Sequence, residues 1–359
     1  MQYVQAHLIL LIVFFFHSSL FGQSYYSTSD YSKVRKYDVH VHVRADRNTF
    51  AEKARSDNFH LTNIVVDNKN SWEVVRSQLD YCVAQAKNNA GMYSICTAFS
   101  MEGWDESDWS HKVHTWLDES FDRGAVAVKV WKNIGMVFRD AAGEMVMIDD
   151  PKFDPIIEYI KDKDMTLMGH LGEPRDCWQP LDSMEANNNR NYFKDHPEYH
   201  MYLHPDLPSY EDQINARDRM LAKHPDIRFI AVHLGSLEWD VDQIASRLDR
   251  FPNMSVDMAA RIGHLFHQTV GDRDKVRQFF IKYQDRILYG SDLGDRGDNT
   301  ESELVERLDK AWKRDWRYLV TDDVMTSELI NEPFTGLYLP ASVVDKIYYE
   351  NAVKWLNLK

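Results

Sequence analysis

The sequence is poor in cysteine, with only Cys82, Cys96 and Cys177 among 359 residues. No two of them form a Cys-x-x-Cys pair, so a zinc ribbon is excluded. A sparse, odd set of cysteines also excludes a disulfide framework, although one unassigned disulfide remains compatible with an exported protein. The fold must therefore depend on a packed core, and 44% of the residues are hydrophobic.

The chain also lacks a basic stretch, a nucleotide-binding glycine motif and, after its first residues, any apolar run of membrane length. Its formal net charge is -14, whereas proteins that bind nucleic acid carry clustered Lys and Arg. No Gly-x-Gly-x-x-Gly follows the first predicted strand, as it does in dinucleotide-binding domains. We expect a globular protein whose partner is a small molecule, with no nucleic acid and, once a signal is removed, no membrane.

The first residues differ in character from the rest of the chain. Residues 8–16, LILLIVFFF, are too short to span a bilayer comfortably and are followed by small polar residues up to Gly22. This pattern predicts a signal peptide over residues 1–23, cleaved at Gly22 or Gln23, although Lys and Arg are missing before it. A buried strand and an uncleaved anchor are the alternatives. The mature chain, residues 24–359, is expected to be periplasmic or secreted.

Apolar, β-branched segments alternate with amphipathic segments through the rest of the chain. The predicted strands are residues 37–43, 61–66, 92–98, 125–131, 165–169, 227–232, 254–257 and 287–290. The predicted helices are residues 71–87, 107–123, 153–162, 210–223, 238–250 and 272–283. The alternation predicts an α/β fold, and eight strands is the number that closes a (β/α)8 TIM barrel, with an open doubly wound sheet as the alternative. We expect one barrel domain with a long loop, residues 173–209, over its mouth.

Potential metal ligands stand where the predicted strands end. They are His40 and His42 on the first strand, Lys129 on the fourth, His170 after the fifth, His233 after the sixth and Asp292 after the eighth. In a barrel these ends share one rim, and residues i and i+2 of a strand share one face. The His-x-His pair alone is weak evidence for a metal site, because 15 histidines in random order give about 0.6 such pairs. The joint pattern predicts a divalent metal site.

These motifs resemble those of the amidohydrolase superfamily. The segments GHLGEP, HLGSLEWD, LYGSD and ENAVKWLNL are similar to its amidohydrolase-related branch, which includes aminocarboxymuconate semialdehyde decarboxylase and various hydrolases and lactonases. The resemblance covers roughly Tyr37 to Leu358 and implies a (β/α)8 barrel with zinc or manganese. By position it implies the metal ligands His40, His42, His170 and Asp292, with His233 as a ligand of a second ion or a catalytic histidine.

The role of Lys129 determines whether the metal site holds one ion or two, and the sequence leaves this question open. Its segment, GAVAVKVWKN, is similar to the fourth strand of dihydroorotase-like and urease-like members, in which a carboxylated lysine bridges two metals. An unmodified ammonium offers only hydrogen-bond donors and is a poor ligand. Lys129 could instead bind an anionic substrate or be a plain strand-end charge, as in decarboxylase-like members with one metal. Lys132 is interpreted as a loop charge.

Five further residues near the predicted mouth are candidates for supporting roles. Glu173 could bind a substrate hydroxyl or amine, and Arg175 and Arg261 a substrate carboxylate, although loop-stabilising ion pairs explain both arginines equally well. Trp131 is a candidate pocket wall. Asp257 is a candidate for orienting a ligand histidine.

The combined pattern predicts a metal-dependent hydrolase that cleaves an amide, lactone or ester bond through activated water. Asp292 would orient this water and transfer its proton, and His233, if it is not a ligand, would steady the oxyanion. The alternatives are a metal-dependent non-oxidative decarboxylase of a small acid and a non-catalytic metal- or ligand-binding barrel. The family resemblance also implies that the chain can form a homo-oligomer.

Overall fold

A parallel β-sheet organises the computed structural model, which describes residues 23–358. Residues 1–22 of the predicted signal peptide lie outside the described residues. The strands of the sheet are β1 (Lys36–Val43), β2 (Phe59–Ile64), β3 (Tyr93–Ala98), β4 (Ala125–Val130), β5 (Thr166–Gly169), β6 (Phe229–Ala231), β7 (Met254–Asp257), β8 (Ile287–Leu288) and β9 (Leu293–Asp295). A small antiparallel pair, β10 (Val324–Met325) with β11 (Phe334–Thr335), lies apart from it.

The sheet closes through β8 and β9, which together form the eighth barrel strand divided in two; the predicted strand, residues 287–290, covers β8 and not β9. β8 pairs with β7, and β9 pairs with β1. Between the halves, the Val39 amide donates to the Tyr289 carbonyl at 3.1 Å and the Asp292 amide to the His40 carbonyl at 2.9 Å. Asp292 has a φ of 64°, which takes the chain out of extended conformation at this point. The predicted α/β class and (β/α)8 TIM barrel are confirmed.

Twelve helices are present within residues 23–358, and most of them cover the outside of the barrel and bury their apolar faces against the strands. They are α1 (Thr49–Ser56), α2 (Trp72–Asn88), α3 (Trp109–Asp122), α4 (Asn133–Met136), α5 (Asp154–Asp162), α6 (Asn187–Asp195), α7 (Tyr210–Lys223), α8 (Val241–Arg250), α9 (Ile262–Lys282), α10 (Glu301–Val320), α11 (Ala341–Asp345) and α12 (Asn351–Trp355). All six predicted helices are present. The helices predicted from the sequence do not include α1, α4, α6, α10, α11, α12 or the first half of α9.

The lower end of the barrel, where the strands begin, is closed by α12. Ala352 and Trp355 of this helix pack with the apolar side chains inside the barrel. The Thr166 hydroxyl, at the start of β5, donates to the Trp355 carbonyl at 2.6 Å. Access to the barrel interior is therefore from the opposite end. Within residues 23–358 no helix is long and apolar enough to cross a membrane.

Residues 173–209, called the lid segment below, contain α6 and four short 3-10 turns. The lid segment packs around a small core, in which its residues Cys177, Met184, Phe193 and Met201 join Met136 of α4. All three cysteines of the chain are buried and unpaired, so they form no disulfide with one another. The segment expected as a long loop is thus a folded element with internal packing.

One extra residue in β1 changes the direction of its side chains. Asp38 pairs with Leu61 of β2, but Val41 pairs with Asn63, so three steps along β1 match two along β2. This irregularity is a β-bulge, and a bulge reverses which side chains face each side of a strand.

The bulge directs His40 and His42 into the barrel. Before it, Val39 packs among the apolar side chains inside the barrel. After it, Val41 packs in the layer between strands and helices. The two histidines on either side of Val41 therefore face inward, towards the mouth.

The Asp38 carboxylate holds this bulge in place. Its Oδ1 accepts the backbone N–H groups of His40 at 3.1 Å and Ser291 at 3.0 Å. Its Oδ2 accepts the indole N–H of Trp312, on α10, at 3.1 Å. Asp38 is fully buried, and burial raises its pKa to about 6 against the opposing effect of these hydrogen bonds. One side chain thus joins β1, the β8–β9 connection and the outer helical layer.

Replacing Asp38 by asparagine tests this connection. The Asn oxygen can keep both backbone hydrogen bonds, but its amide group then faces the Trp312 N–H, so two donors oppose each other. We expect Asp38→Asn to lower the free energy of unfolding by about 1–3 kcal/mol in denaturant titrations at pH 8.

As a control, the Asp38→Asn substitution is also made in a Trp312→Phe protein, which lacks the opposing N–H donor. In that background Asp38→Asn should cost at least about 1 kcal/mol less, since a double-mutant cycle isolates the pairwise interaction. An equal cost in both backgrounds would contradict the role assigned to the indole.

Candidate metal centre at the barrel mouth

Four histidines and one aspartate meet at the barrel mouth. His40 and His42 lie on β1, and the other three, His170, His233 and Asp292, follow β5, β6 and β8. The ring centroids are 5.3 Å apart for His40 and His42, 4.8 Å for His40 and His233, and 4.2 Å for His170 and His233. The Asp292 Oδ1 atom lies 3.2 Å from His42 Nε2 and 3.5 Å from His40 Nε2. Side chains far apart in sequence are thus direct neighbours.

Backbone carbonyls fix the protonation of two of these rings. His42 Nδ1 lies 3.0 Å from the Ile64 carbonyl oxygen, and His233 Nδ1 lies 2.8 Å from that of Ala259. A carbonyl can only accept, so both Nδ1 atoms must donate. In the neutral ring, Nε2 then keeps its lone pair and is available as a metal ligand.

A carboxylate orients His40 in the same way. His40 Nδ1 lies 2.8 Å from the Asp257 Oδ2 atom, and both side chains are buried. The other oxygen of Asp257 accepts the backbone N–H groups of His233 at 2.6 Å and Ala259 at 3.2 Å. Asp257 thus occupies the position expected of a carboxylate that orients a ligand histidine.

Lone pairs of several ring nitrogens and of the Asp292 carboxylate converge on the site, and Lys129 Nζ is a hydrogen-bond donor beside them, 3.3 Å from His40 Nε2. Burial lowers the pKa of His42 to about 4 and that of His170 to about 3, so both rings are neutral at pH 7. Burial alone would raise the pKa of Asp292, but His42, His40 and Lys129 hold it well below its usual range. His170 Nε2 is buried with no hydrogen-bond partner in the described part of the chain. A divalent cation fits this set of nitrogen and oxygen donors.

Lys129 lies beside the same candidate ligand atoms. It projects from β4, is buried, and its Nζ atom lies 3.3 Å from His40 Nε2. Burial lowers its pKa, which increases the share of the neutral amine. Both roles considered from the sequence, carboxylated ligand and substrate-binding cation, are compatible with this position.

Glu173, at the start of the lid segment, is held by two cations. Its carboxylate forms a hydrogen-bonded ion pair with Lys132, and the Arg261 Nη2 atom lies 3.5 Å from its Oε2. Burial would raise the pKa of Glu173, but Lys132, His170 and Arg261 lower it well below its usual range. Lys132, interpreted above as a loop charge, thus reaches the site. Arg261 Nε is buried and has no acceptor within residues 23–358, whereas other parts of the Arg261 side chain line the cavity.

A cavity of about 780 Å³ opens above the histidines. One wall is aromatic and consists of Trp131 and the lid residues Tyr192, Phe193 and Tyr199. Its charged lining is mainly basic, with Arg44, Lys129, Lys132, Arg261, Arg296 and Arg307 against Glu173, Asp292 and Asp298. The mouth is therefore electropositive within a chain of net charge -14.

The predicted substrate-binding residues differ in their access to this cavity. Trp131, Glu173 and Arg261 line it. Arg175 is not among the lining residues, and its guanidinium lies 4.3 Å from the centre of the Trp239 ring. Sequence reasoning missed Arg44, which was detectable because it stands two positions after His42 and shares its face.

A sequence profile of the amidohydrolase family matches residues 37–358. The chain belongs to the amidohydrolase family. Its members are metal-dependent enzymes, which agrees with the donor set at the barrel mouth. A search of curated protein sequences finds no significant match.

Solved structures with the same fold cover almost the whole length of this amidohydrolase. The 2,6-dihydroxybenzoate decarboxylase from Rhizobium is 12% identical, with 90% of this chain and 99% of that chain covered and a TM-score of 0.52. The 5-carboxyvanillate decarboxylase from Novosphingobium aromaticivorans, solved with manganese, is 10% identical, with 92% and 97% covered and a TM-score of 0.50. At these identities the likeness concerns the fold.

A substitution at Asp257 tests the candidate metal centre without removing a ligand. In Asp257→Asn, an amide N–H can face His40 Nδ1 and favour the ring form whose proton is on Nε2. We expect metal affinity to fall by about 10–100-fold, as measured by competition with a chromophoric chelator.

Asp315→Asn is the matched control, because Asp315 is also a buried carboxylate but bonds Tyr289 and Arg314 instead of a histidine. Its metal affinity should stay at the native value even if its stability falls. Equal metal affinity in native and Asp257→Asn proteins would refute the orienting role.

Proposed function

We propose that this chain is a metal-dependent hydrolase that cleaves an amide, ester or lactone bond in a small polar substrate. The observation that carries the proposal is the position of Asp292. Its carboxylate is ionised, partly exposed to the cavity and within 3.5 Å of the Nε2 atoms of His40 and His42. A base in contact with metal-ligand donors and open to solvent suits the activation of water.

The residues that would hold the metal are His40, His42, His170 and Asp292, with His233 beside them. Imidazole nitrogen and carboxylate oxygen suit zinc, and manganese is present in the 5-carboxyvanillate decarboxylase structure. A divalent ion bound here would lower the pKa of a water molecule and polarise the carbonyl group to be cleaved.

The protein's own groups divide the remaining tasks. Asp292 accepts the proton of the attacking water and returns it to the leaving nitrogen or oxygen. The Arg261 side chain, which lines the cavity, binds a substrate oxygen, while Glu173 and Lys132 keep the guanidinium in place.

The ring form of His233 favours one of its two predicted roles. Because its Nδ1 donates to the Ala259 carbonyl, the neutral ring has no proton on Nε2 to give to an oxyanion. Burial also lowers its pKa well below the usual range, so the ring stays neutral. We therefore assign His233 to metal binding in preference to oxyanion stabilisation.

A non-oxidative decarboxylase is the second candidate. The aromatic wall formed by Trp131, Tyr192, Phe193 and Tyr199 suits a planar aromatic acid. A 2,6-dihydroxybenzoate decarboxylase of similar fold has been solved with 2,6-dihydroxybenzoate, an acid of this kind. In this reaction the carboxylate of the substrate leaves as carbon dioxide, and an acid protonates the ring carbon.

Asp292→Asn tests the proposed hydrolysis. We expect kcat to fall by about 10²–10⁴-fold, because the amide cannot take the proton of water. The assay follows a panel of esters, lactones, amides and hydroxybenzoates, and records both new acid and released carbon dioxide. Asp46→Asn, a substitution of an exposed acid next to β1, is the control and should leave kcat unchanged.

Metal content is measured on the same samples, so that loss of the ion is distinguished from loss of the base. Carbon dioxide release without any hydrolytic product would replace the hydrolase with the decarboxylase. Native turnover by a metal-loaded Asp292→Asn protein would refute the role of Asp292 in either reaction.

Lys129 decides between one ion and two. We expect its neutral amine to react with carbon dioxide, forming an N–C bond and releasing one proton, which gives an anionic ligand. Native protein prepared with bicarbonate should then contain about two equivalents of metal, and Lys129→Met about one, by elemental analysis. The same metal content in both proteins would leave Lys129 as a substrate-binding cation.

A further inference from the structure

Three arginines line the side of the cavity where β1 and β9 end: Arg44, Arg296 and Arg307. The pairing of β1 with β9 sets Val43 beside Asp295, so Arg44 and Arg296 follow as neighbours at the strand ends. The Arg44 amide confirms this proximity, because it donates to the Asp295 carbonyl at 2.7 Å. We call these three residues the arginine cluster.

The arginine cluster has no acidic partner, although an acid lies close by. No ion pair joins its guanidinium groups to a carboxylate within residues 23–358. Asp295 is adjacent, but both of its oxygens bind Arg47, at 2.8 Å from Nε and 2.6 Å from Nη2. The neighbouring arginine is thus neutralised by a bidentate pair, while the cluster at the cavity is not.

One acid, Asp298, also lines the cavity, and its Oδ1 accepts an N–H of Asn299 at 2.9 Å. No ion pair joins Asp298 to the cluster among the described residues. Arg307 donates to the Gly294 carbonyl and makes no ion pair. Arg44 Nε is buried and has no acceptor in the described chain.

Side-by-side like charges weaken the pairing of neighbouring strands. Arg44 also follows His42 by two positions, so strand alternation directs it to the metal side of the strand. A protein of net charge -14 repels an acidic ligand at long range, and local cations at the mouth reverse that field. An arrangement that costs stability and faces a cavity is expected where a ligand supplies the missing charge.

We propose that Arg44, Arg296 and Arg307 form an anion subsite for an oxyanion group of the substrate, a carboxylate or a phosphate. Guanidinium groups bind such groups through paired N–H donors. The subsite lies beside the candidate metal centre and would bind a part of the substrate that does not react. This inference rests on the proposed function only in assigning the cavity to the substrate.

The test measures anion binding to the full-length protein as isolated, by calorimetry with inorganic phosphate and with succinate. Both are titrated at constant ionic strength set with sodium chloride, so general screening is common to all samples. The variant is Arg296→Gln with Arg307→Gln, and both side chains are exposed, so the fold should be retained. The control is Arg139→Gln, an exposed arginine outside the cavity that likewise donates to a backbone carbonyl.

We expect the double variant to bind the preferred anion at least about tenfold more weakly than the native protein, and Arg139→Gln to bind it normally. Because the native and double-variant proteins keep the metal centre, any anion on the metal contributes equally to both. The tighter of phosphate and succinate identifies the source of the oxyanion. Equal affinity in native and double-variant proteins, or no binding of either anion to the native protein, would overturn the proposal.

These readouts need no turnover, so they are separate from the fate of the proposed function. Arginine-dependent anion binding without any hydrolysis would leave the subsite standing and overturn the hydrolase. Hydrolysis with an unchanged KM for acidic substrates in the double variant would overturn the subsite and leave the hydrolase standing.

Discussion

The geometry of the candidate metal centre depends on the hydrogen bonds of one buried carboxylate, that of Asp38. Asp38 binds the N–H group that the bulge in β1 leaves unpaired, and the same oxygen binds the N–H of Ser291 in the divided eighth strand. The bulge turns His40 and His42 inward, and the division exposes Asp292 beside them. The same carboxylate thus contacts both the strand that carries the two histidines and the connection that carries Asp292. An apolar residue at position 38 would leave both N–H groups unpaired.

Much of this architecture follows from local pattern. Apolar runs bounded by turns identify the strands, and the polar residues after them identify the mouth. The bulge could not be predicted, because it is a difference in register between two strands and leaves no mark in composition. Helix α10, in contrast, is marked in the sequence by a capping pair at Thr300 and Glu303 and by apolar residues four apart, so its position was predictable.

The residues of the candidate site could be predicted from the sequence, but their proton positions and their contact partners could not. Strand ends assign His40, His42, His170, His233 and Asp292 to one rim. The proton positions come from contacts with carbonyls far along the chain, such as Ile64 for His42 and Ala259 for His233. The arginine cluster likewise depends on the pairing of β1 with β9, about 250 residues later in the chain. It also depends on the ion pair between Arg47 and Asp295, which leaves the cluster without that acid as a partner. Chemical role is thus a property of tertiary contacts more than of motif.

The core of the lid segment is rich in sulfur, and this composition affects both its packing and its chemical stability. Four of its five core residues, Met136, Cys177, Met184 and Met201, carry sulfur, and Phe193 is the fifth. Thioether side chains are flexible and polarisable, so this core can repack around ligands of different outline without losing contact. Oxidation would convert the same methionines into polar sulfoxides and loosen the aromatic wall that the lid contributes to the cavity. We therefore expect breadth of substrate shape and sensitivity to oxidants to depend on the same small set of side chains.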